Sequence, residues 1–175
     1  MHTIPKRHVV IDVETTGLAP HRGDRVIEVG ALILVNNNVT DEFHSLVNVR
    51  KQIPIHAQLI HGISNEMLEG CPEAGEVFPK LKKIIGKAVI IAHNARFDIG
   101  FLKHEFSFLG FKLKNEYLCT LELSRMRYPR LSNHKLETVY RHVTGKRPDG
   151  QSHRALADAR MVAEIWKEMG KSYEQ

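Results

Sequence analysis

The sequence predicts an α/β fold, a mixed five-stranded sheet flanked by helices. Two observations carry this. Three strand-like segments come first, and helices and strands then alternate. The hydrophobic period also changes after Pro72, where Val77, Leu81, Ile84 and Ile85 recur at helical spacing. A chain of 175 residues has room for one core, so residues 1–175 read as a single domain without repeat, linker or low-complexity tract.

His8 to Glu14 is a buried first strand, closed by the Thr15-Thr16-Gly17 turn. Arg25 to Asn36 is the second strand. Asn36-Asn37-Asn38 is a turn signal, so Val39 to Val49 should return as an antiparallel third strand. Ile53 to Gly62 is irregular or briefly helical, and Ser64 can cap a short turn through Leu68. The helix after Pro72 stops at Gly86. Ala88 to Ala92 is a short strand apolar on both faces, as at the centre of a parallel sheet. A helix over Phe97–Leu109 should bury Phe101, Phe106 and Leu109. Tyr117 to Thr120 is a last strand, entering a helix through Arg127. His134 to Val143 forms the next helix, ended by Thr144-Gly145. A polar loop, Lys146 to Gln151, precedes an amphipathic helix over Arg154–Met169. Cys119, Met126 and Trp166 read as packing residues.

Hydrophobic residues make up 42% and charged residues 26%, the balance of a soluble globular protein. No apolar run approaches the roughly 20 residues that span a bilayer, and Met1 to Arg7 carries no secretory signal. Cys71 and Cys119 form no CxxC pair. A reducing, cytoplasmic setting without membrane contact is expected. The net charge is +5, and Arg125 to Asp149 holds seven Lys/Arg against two acids. That segment is either a solvated face or a contact for a polyanion such as a nucleic-acid backbone.

Asp12 and Glu14 lie two residues apart on a strand, so their side chains share a face. Two ionised carboxylates 4 Å apart repel by about 4 kcal/mol at an intermediate dielectric. A fold keeps such a pair through protonation, a basic partner or a cation. With 20 acids in the chain the D-x-E pair alone says little, and it is equally an ordinary strand end. Asp98 follows the Ala88–Ala92 strand in His93-Asn94-Ala95-Arg96-Phe97-Asp98. If that strand is the parallel neighbour of the first, Asp98 sits at the same carboxyl edge, where ligands of α/β sheets gather. It would otherwise serve only the helix dipole. His153 and Asp158 are five apart, about 140° on one helix, so they converge only if His153 precedes the helix. Asp158, flanked by Ala155, Ala157 and Ala159, faces close-packed structure and needs a partner or a metal there. Four carboxylates and a histidine suit hard Mg²⁺ or Mn²⁺ and two-metal phosphoryl chemistry. No HExxH, GxSxG, GxGxxG or P-loop is present, which argues against zinc, serine-hydrolase, dinucleotide and P-loop NTP chemistry.

Taken in order, Val10-Ile11-Asp12-Val13-Glu14-Thr15-Thr16-Gly17, His93-Asn94-Ala95-Arg96-Phe97-Asp98 and His153 with Asp158 resemble the three motifs of the DEDDh (DnaQ-like) 3′→5′ exonucleases. Ile60-His61-Gly62-Ile63 is similar to a further short motif of these enzymes. The likeness covers about residues 8–167 and runs in particular to the proofreading epsilon subunits of bacterial DNA polymerase III and their stand-alone relatives. It implies a ribonuclease H-like fold and two divalent ions, Mg²⁺ or Mn²⁺. Asp12, Glu14 and Asp158 would hold the metals, Asp98 would ligate one directly or through water, and His153 would be the general base. Thr15 and Asn94 resemble contacts to the terminal nucleotide, Leu18 the apolar wedge between the last two bases, and His61 a contact to the terminal sugar or base. Phe97 either stacks on a base or packs in the core. The implied substrate is a single-stranded or frayed 3′ end of DNA, in proofreading or repair. The alternatives are an RNA 3′→5′ exoribonuclease of the ribonuclease T or oligoribonuclease type, and a non-catalytic nucleic-acid-binding module, which would not be expected to keep all five residues. Epsilon subunits continue past this domain with clamp- and polymerase-binding segments, whereas this chain ends at Gln175. A polymerase catalytic subunit is therefore an expected partner only if the chain is a fragment; otherwise it is a self-standing exonuclease.

Overall fold

The computed structural model describes residues 6–148 and 153–170. Five strands form one mixed sheet in the order β3-β2-β1-β4-β5. They are β1 (Arg7–Thr15), β2 (Val26–Val35), β3 (Asn38–Leu46), β4 (Val89–Ala92) and β5 (Tyr117–Cys119). β1 pairs antiparallel with β2 and parallel with β4, while β2–β3 is antiparallel and β4–β5 parallel. The expected neighbourhood of the first and fourth strands is therefore present. The β2–β3 turn carries Asn36 and Asn37 at φ 50° and 63°, the consecutive left-handed pair that a tight hairpin requires and asparagine tolerates.

Helices cover both faces. On one, α2 (Ala74–Ile85) and α3 (Ala95–Phe108) pack Val77, Phe78, Leu81, Phe101 and Phe106 against Val9, Ile11 and Val13. On the other, α6 (Ala155–Met169) lays Ala159, Val162 and Trp166 on Val10, Leu32, Leu34 and Ile91. The short α4 (Thr120–Arg127) and α5 (Leu136–Thr144) lie outside α6, where Val139 and Tyr140 meet Met161, Ile165 and Met169. Strand alternation places Asp12 and Glu14 on the Val10 face, the one that α6 covers. Ile55–His61 is a true short helix, α1, closed by left-handed Gly62.

Three expectations need correction or limits. Met126 is 73% exposed on the outer side of α4 and packs against no core, because that short helix buries only Thr120 and Ser124. Leu109 lies beyond the end of α3 and is only partly buried. Residues 149–151 of the Lys146–Gln151 loop lie outside the described residues. Among the described residues, no helix is long and apolar enough to cross a membrane.

Candidate active site

β1 presents Asp12 and Glu14 half-buried at the carboxyl edge of the sheet, and α6 brings Asp158 across that face. One oxygen each from Asp12, Glu14 and Asp158 fall within 4.8 Å of one another. Asp158 is 7% exposed, and its Oδ1 is buried without a hydrogen-bond partner. A buried, unpartnered carboxylate oxygen inside a group of acids is costly unless a cation completes it. The three residues thus fit a hard divalent ion by donor type and spacing.

Asp98, 2% exposed in the first turn of α3, is not one of the three acids whose oxygens meet within 4.8 Å. Burial pushes its carboxyl up to about 8, against the opposing pull of the N–H groups of Asp98 and Val13, and Asp158 adds to the rise. Asp12 is held well above the usual carboxylate range, first by burial and then by Asp98, Asp158 and Glu14. Glu14 reaches about 8 through burial and then the charges of Asp158, Glu28 and Asp98. Asp158 reaches about 6, raised by burial and tempered by His153. Without a cation, the four acids cannot all ionise near neutral pH.

His153 precedes α6, as convergence with Asp158 requires, and lies near enough to temper that carboxyl. Its φ of 64° is uncommon for a residue with a side chain, and the ring is exposed. Asn94 is also left-handed, at φ 67°, and exposed at the start of α3. Thr15 is buried and donates through Oγ1 to the Gly17 carbonyl at 2.5 Å. Leu18, 84% exposed, projects from a loop that Asp24 ties down by accepting from Ala19 N–H and Lys51 Nζ, both at 3.0 Å. A Cβ on Gly17 would meet the Asp24 carboxylate at 2.3 Å, so a side chain there would push aside the residue that ties the loop down. His61, 5% exposed, accepts the Ile63 N–H on Nδ1, leaving Nε2 toward the Thr15 backbone without a well-formed bond. Phe97 packs its ring, tilted by 52°, against Phe101 at 4.9 Å and joins the core margin.

Sequence reasoning missed a second layer. Glu28 of β2 is 1% exposed and accepts from Arg154, the Ala155 N–H and His44. Glu105 of α3, also 1% exposed, accepts both forks of Arg25 at 2.8 Å and the Val26 N–H at 3.1 Å. The one available signal was Glu28 itself, an acid inside the apolar run Val26–Val35.

The family profile described as exonuclease (RNase_T) matches residues 9–166. The chain is 36% identical to the DNA polymerase III subunit epsilon of Rickettsia typhi over 166 residues, 91% of this chain and 72% of that protein. It is 36% identical to the 3′-5′ exonuclease DinG of Bacillus subtilis over 165 residues, and 38% identical to a PolC-type DNA polymerase III of Clostridium perfringens over 160. It spans only 18% and 11% of those two proteins. In fold it is similar to exonuclease X in complex with 5′ overhanging duplex DNA, with a TM-score of 0.76 at 24% identity, covering 96% of this chain and 93% of that one. It is also similar to the nuclease domain of 3′hExo, a DEDDh family member bound to rAMP, with a TM-score of 0.80 at 18% identity, covering 97% and 94%. The sheet order and two-sided helical cover are thus those of a ribonuclease H-like exonuclease fold, and with its profile matched from Val9 to Trp166, this chain belongs to the exonuclease family.

Proposed function

We propose that the chain hydrolyses phosphodiester bonds at the 3′ end of a single-stranded or frayed DNA strand, releasing nucleoside 5′-monophosphates. The observation that supports this best is the carboxylate trio within 4.8 Å around the unpartnered Asp158 Oδ1. An all-oxygen set of this kind favours Mg²⁺ or Mn²⁺ over zinc. In this reading Asp12, Glu14 and Asp158 hold two such ions, and Asp98 supports one directly or through water. Bound there, the ions would supply charge stabilisation at the phosphoryl group. His153, exposed beside Asp158, takes the proton from the attacking water. Thr15 and Asn94 position the terminal nucleotide, Leu18 separates the last two bases, and the buried His61 Nε2 donates to the terminal sugar or base.

The named epsilon and DinG relatives at 36% identity favour DNA over RNA and proofreading or repair as the role. A DNA polymerase catalytic subunit is the corresponding protein partner. Cys71 and Cys119 are free thiols, in keeping with a reducing cytoplasm. The test is product analysis on matched 5′-labelled DNA and RNA single strands with Mg²⁺. Progressive shortening of the DNA from its 3′ end with mononucleotide release is expected. Preferential RNA degradation transfers the assignment to an exoribonuclease, and nicking of circular single strands ends the exonuclease reading.

A further inference from the structure

Glu28 lies directly across from Glu14 in the β1–β2 register, so without a counter-charge it would be a fifth like charge against the site. It is compensated within its own layer. Arg154 Nε reaches both of its oxygens at 3.1 and 3.2 Å, Arg154 Nη2 reaches Oε1 at 2.8 Å, and Ala155 N–H reaches Oε2 at 3.0 Å. His44 Nε2 closes the set at 2.7 Å. One carboxylate thus grips both the side chain of Arg154 and the first amide of α6. Two positions along β2, Gly30 lets that helix start touch the sheet. A Cβ there would lie 2.4–2.5 Å from backbone atoms of Ala155 and Leu156.

Everything this grip fixes adjoins His153. The Arg154 carbonyl accepts from Asp158 N–H at 2.9 Å, and His153 lies near enough to the Asp158 carboxyl to hold its rise in check. His153 therefore directly precedes an anchored residue, in a left-handed conformation at φ 64°. Such a conformation persists only where the surroundings over-determine it.

We propose that Glu28, Gly30 and Arg154 form a positioning clamp that sets where the His153 ring stands, acting on the chemical step through that ring without touching metal or substrate. The inference rests on the reading of His153 as the base. The molecule contains its own comparator. Glu105 grips Arg25 and the Val26 N–H in the same manner, but it ties α3 to β2 two turns away from Asp98. A clamp that merely holds the fold together should behave like that one.

The experiment measures single-turnover cleavage of single-stranded DNA with Mn²⁺, calorimetric Mn²⁺ affinity and melting temperature. The variants are Arg154→Gln, Glu28→Gln and Arg25→Gln, alone and combined with His153→Ala. Arg154→Gln should slow cleavage about 10–100-fold, the usual worth of a residue that orients a site group, with Mn²⁺ affinity unchanged. In the His153→Ala background it should add nothing, because the group it positions is gone. Arg154→Lys, which keeps the charge but loses the fork, should lie between wild type and Arg154→Gln. Arg25→Gln should lower the melting temperature and leave the rate alone. If Glu28→Gln does not fold, Arg154→Gln and Arg154→Lys decide the matter. Equal slowing in both backgrounds overturns the clamp, as does a rate that follows lost Mn²⁺ affinity. An unslowed Arg154→Gln beside a crippled His153→Ala overturns the clamp and leaves the base reading standing. A His153→Ala enzyme that keeps its rate overturns the base reading, and the clamp with it.

Discussion

Glu14 and Glu28 face one another across neighbouring strands and are held in opposite states. Glu28 is the more deeply buried by exposure, 1% against a half-buried Glu14. Burial alone would push its carboxyl up, yet the hydrogen bonds of Arg154, His44 and Ala155 N–H hold it below the ordinary range. Glu14 rises to about 8, through burial and then Asp158, Glu28 and Asp98, with Arg154 offsetting only part. Depth therefore does not separate a structural acid from a functional one; partners do. Glu28 and Glu105 spend their oxygens on arginine forks and backbone amides, while Asp158 keeps a buried oxygen unspent. That unspent oxygen marks the proposed site.

The largest test removes one of them. Asp12→Asn should reduce cleavage by about 10³-fold or more, since metal stabilisation contributes several kcal/mol at about 1.4 kcal/mol per decade. The same change should raise the metal-free melting temperature at alkaline pH, because it removes a group whose ionised form burial, Asp98, Asp158 and Glu14 all oppose. A relief of about 1 kcal/mol shifts a domain of this size by about 2–4 °C. A natively folded Asp12→Asn protein that melts below wild type without metal at that pH would break the contrast.

The contrast also has a pH signature. Glu14 and Asp98 sit near 8 and Asp158 near 6 when folded, all above their unfolded values, so the native state holds protons that the unfolded chain has released. Their contribution to stability is complete below about pH 4 and is lost as pH rises through 6 to 8. Between pH 5 and pH 8.5 the metal-free melting temperature should fall. Mn²⁺ binds the ionised acids, so its stabilising effect should grow over the same interval. Melting curves with and without Mn²⁺ check both signs, and a metal effect independent of pH would count against the cluster as its binding site.

The two layers differ in how legible they were. Asp12, Glu14 and Asp98 could be placed at one sheet edge from sequence because strand alternation and the carboxyl edge of a parallel pair are local rules, and Asp158 joined them through its close-packed neighbours and the family resemblance. Helix geometry required His153 to precede its helix if it was to meet Asp158, and its role came from the family resemblance. The paired layer obeys no local rule. Arg154 meets Glu28 across 126 positions and Arg25 meets Glu105 across 80, so only the folded chain selects which arginine finds which acid. Met126 misled because an apolar side chain on a short helix reads as core until the helix is seen to lie outermost.

A smaller effect should follow from the paired layer away from the site. Arg25→Gln leaves Glu105 buried with the Val26 N–H and one weaker donor in place of a fork. Removing one partner of a buried pair costs about 3 kcal/mol, somewhat less here because the Arg25 side chain is 23% exposed. The melting temperature should drop by several degrees, while cleavage by the folded protein stays at the wild-type rate. Loss of rate without loss of stability would show that α3 is tuned through this pair and that the two clamps are alike.

The smallest effect separates cations that are spent from cations that are not, the same distinction carried to the basic segment. All seven Lys/Arg between Arg125 and Arg147 are exposed, but they are not equivalent. Arg127 donates to the Met169 carbonyl at 2.7 Å, closing the end of α6, and Lys146 pairs with Glu164 at 2.6 Å. Arg141, in the last turn of α5, and Arg147, just beyond it, are the better candidates for a nucleic-acid backbone. Each phosphate contact to a single strand contributes about 0.7 to the slope of log affinity against log salt. The Arg141→Gln/Arg147→Gln protein should therefore lose about 1.4 from that slope, with weakening that is similar for different DNA sequences. Arg127→Gln should leave the slope intact and lower the melting temperature instead. Lys146→Gln should fall between, since a solvent-exposed ion pair contributes under about 1 kcal/mol and yields easily to a phosphate. Fluorescence anisotropy of a labelled single strand across a salt series reads all three variants. An unchanged slope in the Arg141/Arg147 double variant would mean that this face is solvated only, and that the strand is held by the site edge alone.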